Sequence, residues 1–407
     1  MFGIKKLLAA RSRRRTHSQF DSSLRRTVRK VEGRIKFLLA NPLGSILNPR
    51  KTNTPIPLSQ VSSIFIIRHD ALGDAVLTTP LWRYLQRHAP HIKIGVAGSD
   101  RSRIIFSNDP DIDEIYSFSK APSIGLLKEL LRARKTRWDV IVNLNYHDKT
   151  RGAIFAKIIS PKGISATGIH GNSDKYERLY SVVAFRPSVE HPVPMVRQNA
   201  MVLKAAVDLP EDLYDELPSL PHYPKIENTY HQEISDILLR SGKKDYIIIN
   251  SDASQLYREW GIDNCIALAE LIAERYPERH VFLTSAPERA HVVLSKLPEG
   301  NSISYLRTPS ILHLAVALRG AVAAVSPDTS IVHFAGAVRT PILGLYLEEN
   351  EFPPIGSPSK VLLPEKGKLP SSIPVQTVFQ ALVELLGMTS DNEESSGSAV
   401  RRPTVIL

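Results

Sequence analysis

Short apolar runs alternate with longer amphipathic stretches along most of the chain. The apolar, β-branched run at residues 64–67 is typical of a buried parallel strand, and the pattern at 75–88 indicates a helix directly after it. A second series begins with an apolar run at 246–250 and an amphipathic stretch at 262–276. The same reasoning predicts further strands at 93–97, 140–145, 280–284, 321–325 and 342–346, and further helices at 311–318 and 331–338.

Repeated β-α-β units imply parallel sheets with helices on their faces. A proline-rich stretch at 218–224 separates the two series and is interpreted as a linker. The sequence therefore predicts an α/β fold with two Rossmann-like domains, at 61–224 and 225–388, that face each other across a cleft. An extension at 1–60 precedes them, and a Ser/Glu/Gly-rich tail at 389–407 is expected to be disordered.

The net charge of +11 is concentrated at the N-terminus. Residues 1–51 contain fourteen Lys/Arg and two acidic residues, a balance of +12, so residues 52–407 sum to −1. Five apolar residues recur there at spacings of four and three, with Arg and Lys between them: Leu24, Val28, Val31, Ile35 and Leu38. This pattern is typical of an interfacial helix, and it predicts that residues 1–40 bind an anionic membrane surface.

Three alternatives to membrane binding arise from the same features of the extension. The apolar stripe and the scarcity of aromatic residues argue against nucleic acid, which attracts the same charges. The stripe also fits docking on the protein's own surface, and the Arg/Ser-rich composition also fits a mitochondrial or plastid transit peptide.

Absent signals narrow the functional classes. A single cysteine, Cys265, excludes an intramolecular disulfide and a cysteine-based zinc site. No apolar run reaches the ~18 residues of a spanning helix, and the first residues lack the pattern of an export signal. The sequence contains neither a dinucleotide-binding glycine motif, a P-loop nor a serine nucleophile elbow.

The first candidate site follows the first predicted strand, where Arg68, Gly73 and Asp74 lead into a helix. Ligands of open α/β sheets bind outside the carboxyl ends of the strands. Glycine permits a tight turn or a close backbone approach. Asp74 is either a functional carboxylate that points toward the cleft or an N-cap.

The second candidate lies between a strand and a helix at 326–333. The helix N-terminus is a predicted anion site, to which the Thr329 and Ser330 hydroxyls add donors suited to a diphosphate. The alternative is a helix capped by Asp328, with His333 packed beneath the loop.

Two further loops follow strands of the second half. Arg258 ends the loop 250–260 and is placed to face a phosphate, unless it is a surface arginine paired with Glu259 or a nearby acid. Glu288 follows the next strand, where it either accepts hydrogen bonds from a ribose or complements a helix dipole.

The order of these motifs resembles glycosyltransferase family 9, the ADP-heptose:lipopolysaccharide heptosyltransferases. The similarity rests on residues 64–74 with Thr78-Thr79-Pro80, on residues 327–337 with Thr340-Pro341, and more loosely on Arg258-Glu259-Trp260. It covers residues 61–387. The chain departs from the family pattern at Ser330, where the family has Gly, at Arg258, near which it has Lys, and at Gly261, where it has Pro. The extension at 1–60 has no counterpart in the family.

The resemblance implies a GT-B architecture and inverting transfer of a sugar without a metal or cofactor. The donor, ADP-heptose, is expected in the C-terminal domain and the acceptor, a lipid-linked glycan facing the cytoplasm, in the N-terminal domain. The catalytic base falls on Asp74, with Arg68 and Gly73 in the acceptor-side loop. The donor contacts fall on Arg258, Glu288, Asp328, Thr329, Ser330 and His333. Two alternatives remain at this stage: the same fold acting on another nucleotide sugar or acceptor, and a sugar-nucleotide-binding protein without turnover, which would not need Asp74.

Overall fold

The computed structural model describes residues 46–49, 53–68, 71–107, 109–119, 121–146, 149–170, 176–186, 192–217, 232, 235–236, 239, 242–243, 245–300 and 302–387. The predicted helix at 24–38, the linker at 218–224 and the tail at 389–407 lie outside these residues. The chain divides into two units, Met1–Lys225 with Asn350–Phe352, and Ile226–Glu349 with Pro353–Leu407. Nothing in the sequence pattern had indicated that residues 350–352 belong with the first unit.

The first unit contains a six-stranded parallel sheet and a two-stranded one. The large sheet has the order β4-β3-β2-β5-β6-β7, and β1 pairs with β8. The strands are β1 Ile56–Pro57, β2 Ser63–Ile67, β3 Lys93–Gly98, β4 Glu114–Ser117, β5 Val140–Asn143, β6 Ile164–His170, β7 Val182–Arg186 and β8 Val207–Asp208.

Seven α-helices that lie wholly within the described residues connect and cover these strands. They are α1 Leu72–Val76, α2 Thr79–His88, α3 Arg103–Phe106, α4 Ile124–Arg134, α5 Lys149–Ile159, α6 Met195–Ala206 and α7 Leu213–Glu216. The helix predicted at 75–88 is thus two helices. Pro80 lies in the first turn of α2 and has no N–H to continue the hydrogen-bond ladder of α1. The Thr78 hydroxyl instead donates to the carbonyl of Asp74 at 2.8 Å.

The second unit is built on another six-stranded parallel sheet, in the order β11-β10-β9-β12-β13-β14. Its strands are β9 Asp245–Asn250, β10 Arg279–Thr284, β11 Ile303–Tyr305, β12 Ala323–Pro327, β13 Ile342–Leu345 and β14 Ser359–Leu362. Its helices are α8 Ile262–Arg275, α9 Ala290–Leu294, α10 Ile311–Gly320, α11 Ser330–Ala337 and α12 Val375–Leu385.

Both large sheets have the same topology. Numbered along each sheet's own stretch of chain, the strand order is 3-2-1-4-5-6 in both, which is the order of the Rossmann fold. The order reverses between β2 and β5 in the first unit and between β9 and β12 in the second. The prediction of an α/β fold with two parallel, Rossmann-like halves is confirmed, and ligands bind at such switch points.

Candidate functional site

Arg68 joins the two central strands of the first sheet. It follows β2, its side chain is 1% exposed, and its Nη2 lies 3.2 Å from Oδ1 of Asp74. Its Nε donates to the carbonyl of Asp74 at 3.2 Å, and Nη1 donates to the carbonyl of Leu144, just after β5. One guanidinium therefore holds both the carboxylate and the backbone of Asp74 against the neighbouring strand.

Further hydrogen bonds close a ring around this arrangement. The guanidinium of Arg68 lies 5.8 Å from the ring centroid of Tyr146, whose hydroxyl donates to Asn199 Oδ1 at 3.0 Å. The Asn199 amide donates to the carbonyl of Leu77 at 3.3 Å and to Thr78 Oγ1 at 3.4 Å. Because Thr78 also bonds to the carbonyl of Asp74, the end of α1 is fixed at several points.

The N-cap interpretation of Asp74 is wrong. The N-cap of α1 is Ala71, which makes no side-chain capping bond, and Asp74 lies within the first turn of the helix. Its carboxylate is 19% exposed and paired with Arg68, so it is fixed at one oxygen and partly open to solvent. Gly73 is buried inside α1 and has no positive φ, so it does not serve as a tight turn.

Arg258 and Asp328 meet at the switch point of the second sheet. Arg258 ends a 3₁₀ turn, Leu256–Arg258, after β9, and Asp328 follows β12. Their side chains form a hydrogen-bonded ion pair in which Asp328 is 8% exposed and Arg258 28%. Burial and the Asp328 carboxylate raise the pKa of the neighbouring Tyr346 hydroxyl well above its usual range, while Arg258 lowers it. Tyr346 therefore stays a neutral group beside the pair.

The cap of α11 is Thr329 and not Asp328. Thr329 Oγ1 accepts a hydrogen bond from the N–H of Ile331 at 3.3 Å and lies 3.1 Å from Ser326 Oγ. Ser330 is the first residue of the helix, and His333 is buried one turn further on. Because Thr329 caps the helix, the Asp328 carboxylate is available to pair with Arg258.

Asn250 and Asp252, in the loop 250–260, are further polar residues that the sequence patterns had not singled out. Asn250 donates to Ser326 Oγ at 3.1 Å and to the carbonyl of Asp252 at 2.9 Å, which connects the loops after β9 and β12. Asp252 Oδ2 accepts the N–H of Ala286 at 2.9 Å. Burial raises the pKa of Asp252, and this hydrogen bond partly offsets the rise. The position of Asn250 and Asp252 is the signal that could have identified them, since polar side chains at the carboxyl end of a buried strand have to find partners there.

Glu288 lies apart from these contacts. It belongs to the 3₁₀ turn Pro287–Arg289 after β10 and is exposed. The neighbouring Arg289 pairs with Glu259, so Glu259 is not the partner of Arg258. Within the described part of the chain, Glu288 makes no hydrogen bond or ion pair with the other predicted donor residues.

The three aspartates of an Asp-x-Asp pattern at 109–113 make hydrogen bonds and ion pairs within the fold. Asp109 accepts from Trp82 Nε1 at 2.9 Å and pairs with Arg83, which also pairs with Asp111. Asp113 accepts the N–H of Ile94 at 2.7 Å. Across the residues that the structure describes, no group of three or more His, Cys, Asp or Glu is arranged to hold a metal ion. That the reaction needs no metal or cofactor stays a prediction.

None of the helices in the described parts of the chain combines the length and the apolar character that a bilayer span demands.

Comparison with known proteins reveals several relatives. Lipopolysaccharide heptosyltransferase 3 of Escherichia coli is 24% identical over 294 residues, which are 67% of this chain and 80% of the relative. A family 9 glycosyltransferase of Veillonella parvula superposes with a TM-score of 0.64 at 17% identity, over 80% of this chain and 97% of that one. ADP-heptose lps heptosyltransferase II of E. coli gives 0.62 at 19% identity, over 80% and 98%.

The sequence model of glycosyltransferase family 9 (heptosyltransferase) matches residues 127–373. This segment is more than half of the chain. It contains Arg258, Glu288 and Asp328, whereas Arg68 and Asp74 precede it. Two Rossmann-like units make up the GT-B fold that these relatives share, and the chain is a glycosyltransferase that belongs to family 9, the heptosyltransferases.

Proposed function

We propose that this enzyme transfers heptose from ADP-heptose to a lipid-linked lipopolysaccharide core or similar envelope glycan, with inversion at the anomeric carbon. The observation that carries the proposal is the Arg258–Asp328 pair at the switch point of the second sheet, inside the segment that matches the family. A relative with the same fold is named for its ADP-heptose donor and for lps.

The donor diphosphate is proposed to bind at the N-terminus of α11. A helix N-terminus combines free N–H groups with the positive end of the dipole, which together favour phosphate. Thr329 and Ser330 add hydroxyl groups there. Asp328 holds Arg258 in place and neutralises part of its charge, and the remaining guanidinium donors are directed at the diphosphate. His333 supports the first turn from below, and Glu288 is proposed to accept hydrogen bonds from the ribose.

Asp74 is proposed as the general base. It accepts the proton of the acceptor hydroxyl as that oxygen forms a bond to the anomeric carbon and the bond to the diphosphate oxygen breaks. ADP leaves on the opposite face, and the proton remains on Asp74. Arg68 keeps the carboxylate in one orientation, and orientation of a base is a large part of its effect. Gly73 is proposed to allow a close approach of the acceptor to the backbone beside Asp74.

The acceptor explains the proposed role of the extension. A glycan attached to lipid is confined to a membrane, and we infer that residues 1–40 hold the enzyme on the cytoplasmic face of the bacterial inner membrane. Basic residues near an anionic leaflet contribute ~1 kcal/mol each. Reversing the charges of Arg13, Arg14 and Arg15 should reduce flotation with anionic vesicles, and unchanged flotation would contradict this part of the proposal. Nucleic acid is not a proposed partner.

A panel of nucleotide sugars tests the donor and the stereochemistry together. ADP-heptose at ~100 times its dissociation constant should raise the free energy of unfolding by ~2.7 kcal/mol, whereas UDP- and GDP-sugars should have little effect. NMR of the transferred sugar should give the anomeric configuration opposite to that of the donor. Stabilisation by a UDP- or GDP-sugar alone, or retention of configuration, would overturn the proposal.

A further inference from the structure

Helix α4 has two apolar faces, and only one of them is buried. Leu126, Leu130 and Ala133 pack in the core of the first unit. On the other side, three large aliphatic side chains are open to solvent. Ile124 is 77% exposed, Leu127 52% and Leu131 50%. We call these three residues the outer face of α4.

The outer face is a continuous stripe. At 100° per residue, positions 124, 127 and 131 lie within about 60° of the helix circumference. Contiguous exposed apolar surface is unusual in a soluble protein unless it contacts a partner. The stripe therefore points to an interaction surface.

The surroundings of the stripe are basic. Residues 121–137 contain five Lys/Arg and one acidic residue, Glu129, which pairs with Arg132. Lys128 and Lys135 are exposed on the same side of the helix as the stripe. Aliphatic side chains bordered by lysine and arginine form the pattern that binds an anionic lipid surface.

The described residues closest in sequence to the basic extension contact helix α5, which lies beside α4. Leu47 packs with Ala153 of α5, and Lys157 Nζ donates to the carbonyl of Asn48 at 3.2 Å. Helix α5 is the neighbour of α4, since Arg134 donates to the carbonyl of Ile158 at 2.8 Å. Residues 47 and 48 are thus one helix away from α4.

The positive charge around the outer face of α4 distinguishes among the partners that could bind it. The extension itself is basic, so its docking on α4 would bring like charges together. A second copy of the chain would do the same, because a symmetric contact opposes each patch to itself. Three side chains also fall far short of the ~800 Å² per partner of a stable dimer.

We propose that the outer face of α4 is a membrane contact that binds anionic phospholipid, in addition to the one proposed for residues 1–40. Two modest membrane-binding signals in one protein give stable anchoring where either alone gives reversible binding. This inference does not depend on the identity of the donor or on the chemistry of transfer, because it concerns a surface outside the reaction site.

A fluorescent label on the helix tests the contact directly. Cys265 is fully buried, so Ile124→Cys in the full-length chain provides the reactive thiol for an environment-sensitive dye. With vesicles that contain phosphatidylglycerol, its emission should shift to the blue and be quenched by brominated lipid. The matched control is Leu294→Cys, because Leu294 lies in the second unit and is 54% exposed. A dye at this position should show neither effect.

A second set of variants measures the contribution to affinity. Leu127→Gln with Leu131→Gln should lower the partition coefficient onto anionic vesicles about tenfold, because apolar burial is lost. Leu294→Gln with Leu363→Gln, two exposed leucines of the second unit, should leave it unchanged.

The proposal is overturned if vesicle-bound protein shows no spectral change at position 124. It is also overturned if the change occurs equally on purely zwitterionic vesicles, or if it occurs without vesicles and grows with protein concentration, as self-association would.

Discussion

Arg258 and Asp328 are 70 positions apart in the sequence, and their side chains form an ion pair where the second sheet reverses its strand order. Arg68 does the equivalent in the first sheet, where it binds the carbonyl of Leu144 across the switch point and pairs with Asp74. In each unit, the strands of the large sheet can be counted along the chain. An arginine that follows the first of these strands is bonded to a residue that follows the fourth. Both arginines lie where open α/β sheets bind their ligands.

Replacing Arg258 by Ala should weaken donor binding about 10- to 100-fold, since charge-assisted hydrogen bonds contribute ~1.5–3 kcal/mol. Titration calorimetry with ADP measures the effect. Arg289→Ala, which removes the neighbouring pair with Glu259, is the control and should bind ADP almost normally. Equal affinities for the Arg258 variant and the native enzyme would remove Arg258 from the donor site.

Tyr146→Phe should lower kcat several-fold and leave the donor KM unchanged. The variant loses the hydroxyl that bonds to Asn199, and with it one fixed point of the ring that orients Asp74. Steady-state kinetics separates the two parameters. Tyr84→Phe removes a hydroxyl bonded to Asp212 elsewhere in the same unit and should leave kcat intact. A change in KM alone would mean that the ring acts on binding rather than on the base.

His280 should make the second unit sensitive to acid. Both ring nitrogens are buried without a hydrogen-bond partner among the described residues. Burial, and then the charge of Lys243, lower the pKa of His280 from 6.5 to about 4. The unfolded chain therefore takes up a proton near pH 6.5 while the folded chain resists until about pH 4. Stability is lost as pH falls through that window, by up to ~3 kcal/mol.

His280→Leu should flatten this slope. Urea unfolding between pH 7 and pH 4 measures it, with the exposed His291→Leu as the control. Parallel acid slopes for native protein and His280→Leu would show that another group is responsible.

Gly261 occupies the position where the family resemblance leads one to expect proline. It is the N-cap of α8 with φ at +101°, and a proline ring fixes φ near −65°. Gly261→Pro should therefore cost ~3 kcal/mol of unfolding free energy or more, and Gly261→Ala ~1–3 kcal/mol. Gly125→Ala in helix α4, where a Cβ has ordinary contacts, should not destabilise. A Gly261→Pro variant as stable as the native protein would mean that this backbone conformation is not required.

The strands were predictable because the central ones are buried on both faces. Ile64–Ile67 and Ile247–Ile249 are completely buried, and such strands are read as unbroken apolar runs. Local chemistry predicted the caps less well. Asp328 and Thr329 are both residue types that suit an N-cap. Which of them caps the helix depends on where helical φ and ψ begin, and the two choices differ by one residue.

The partners of the site residues were not predictable in the same way. The pairing of Arg258 with Asp328, rather than with the adjacent Glu259, follows from the strand order, which puts β9 beside β12. Asn199 is one of two polar residues on the buried face of α6, and its role depends on Tyr146 from a different element. No periodicity within either helix or strand contains that information.

Single-turnover transfer by Asp74→Asn tests the central claim most directly. Asparagine keeps the shape of the side chain and an oxygen for Arg68, but it is not a base. The account predicts that the variant folds, binds ADP-heptose with native affinity and transfers sugar about 10²- to 10⁴-fold more slowly. Transfer at close to the native rate, with donor affinity also unchanged, would contradict the assignment of Asp74 as the catalytic base.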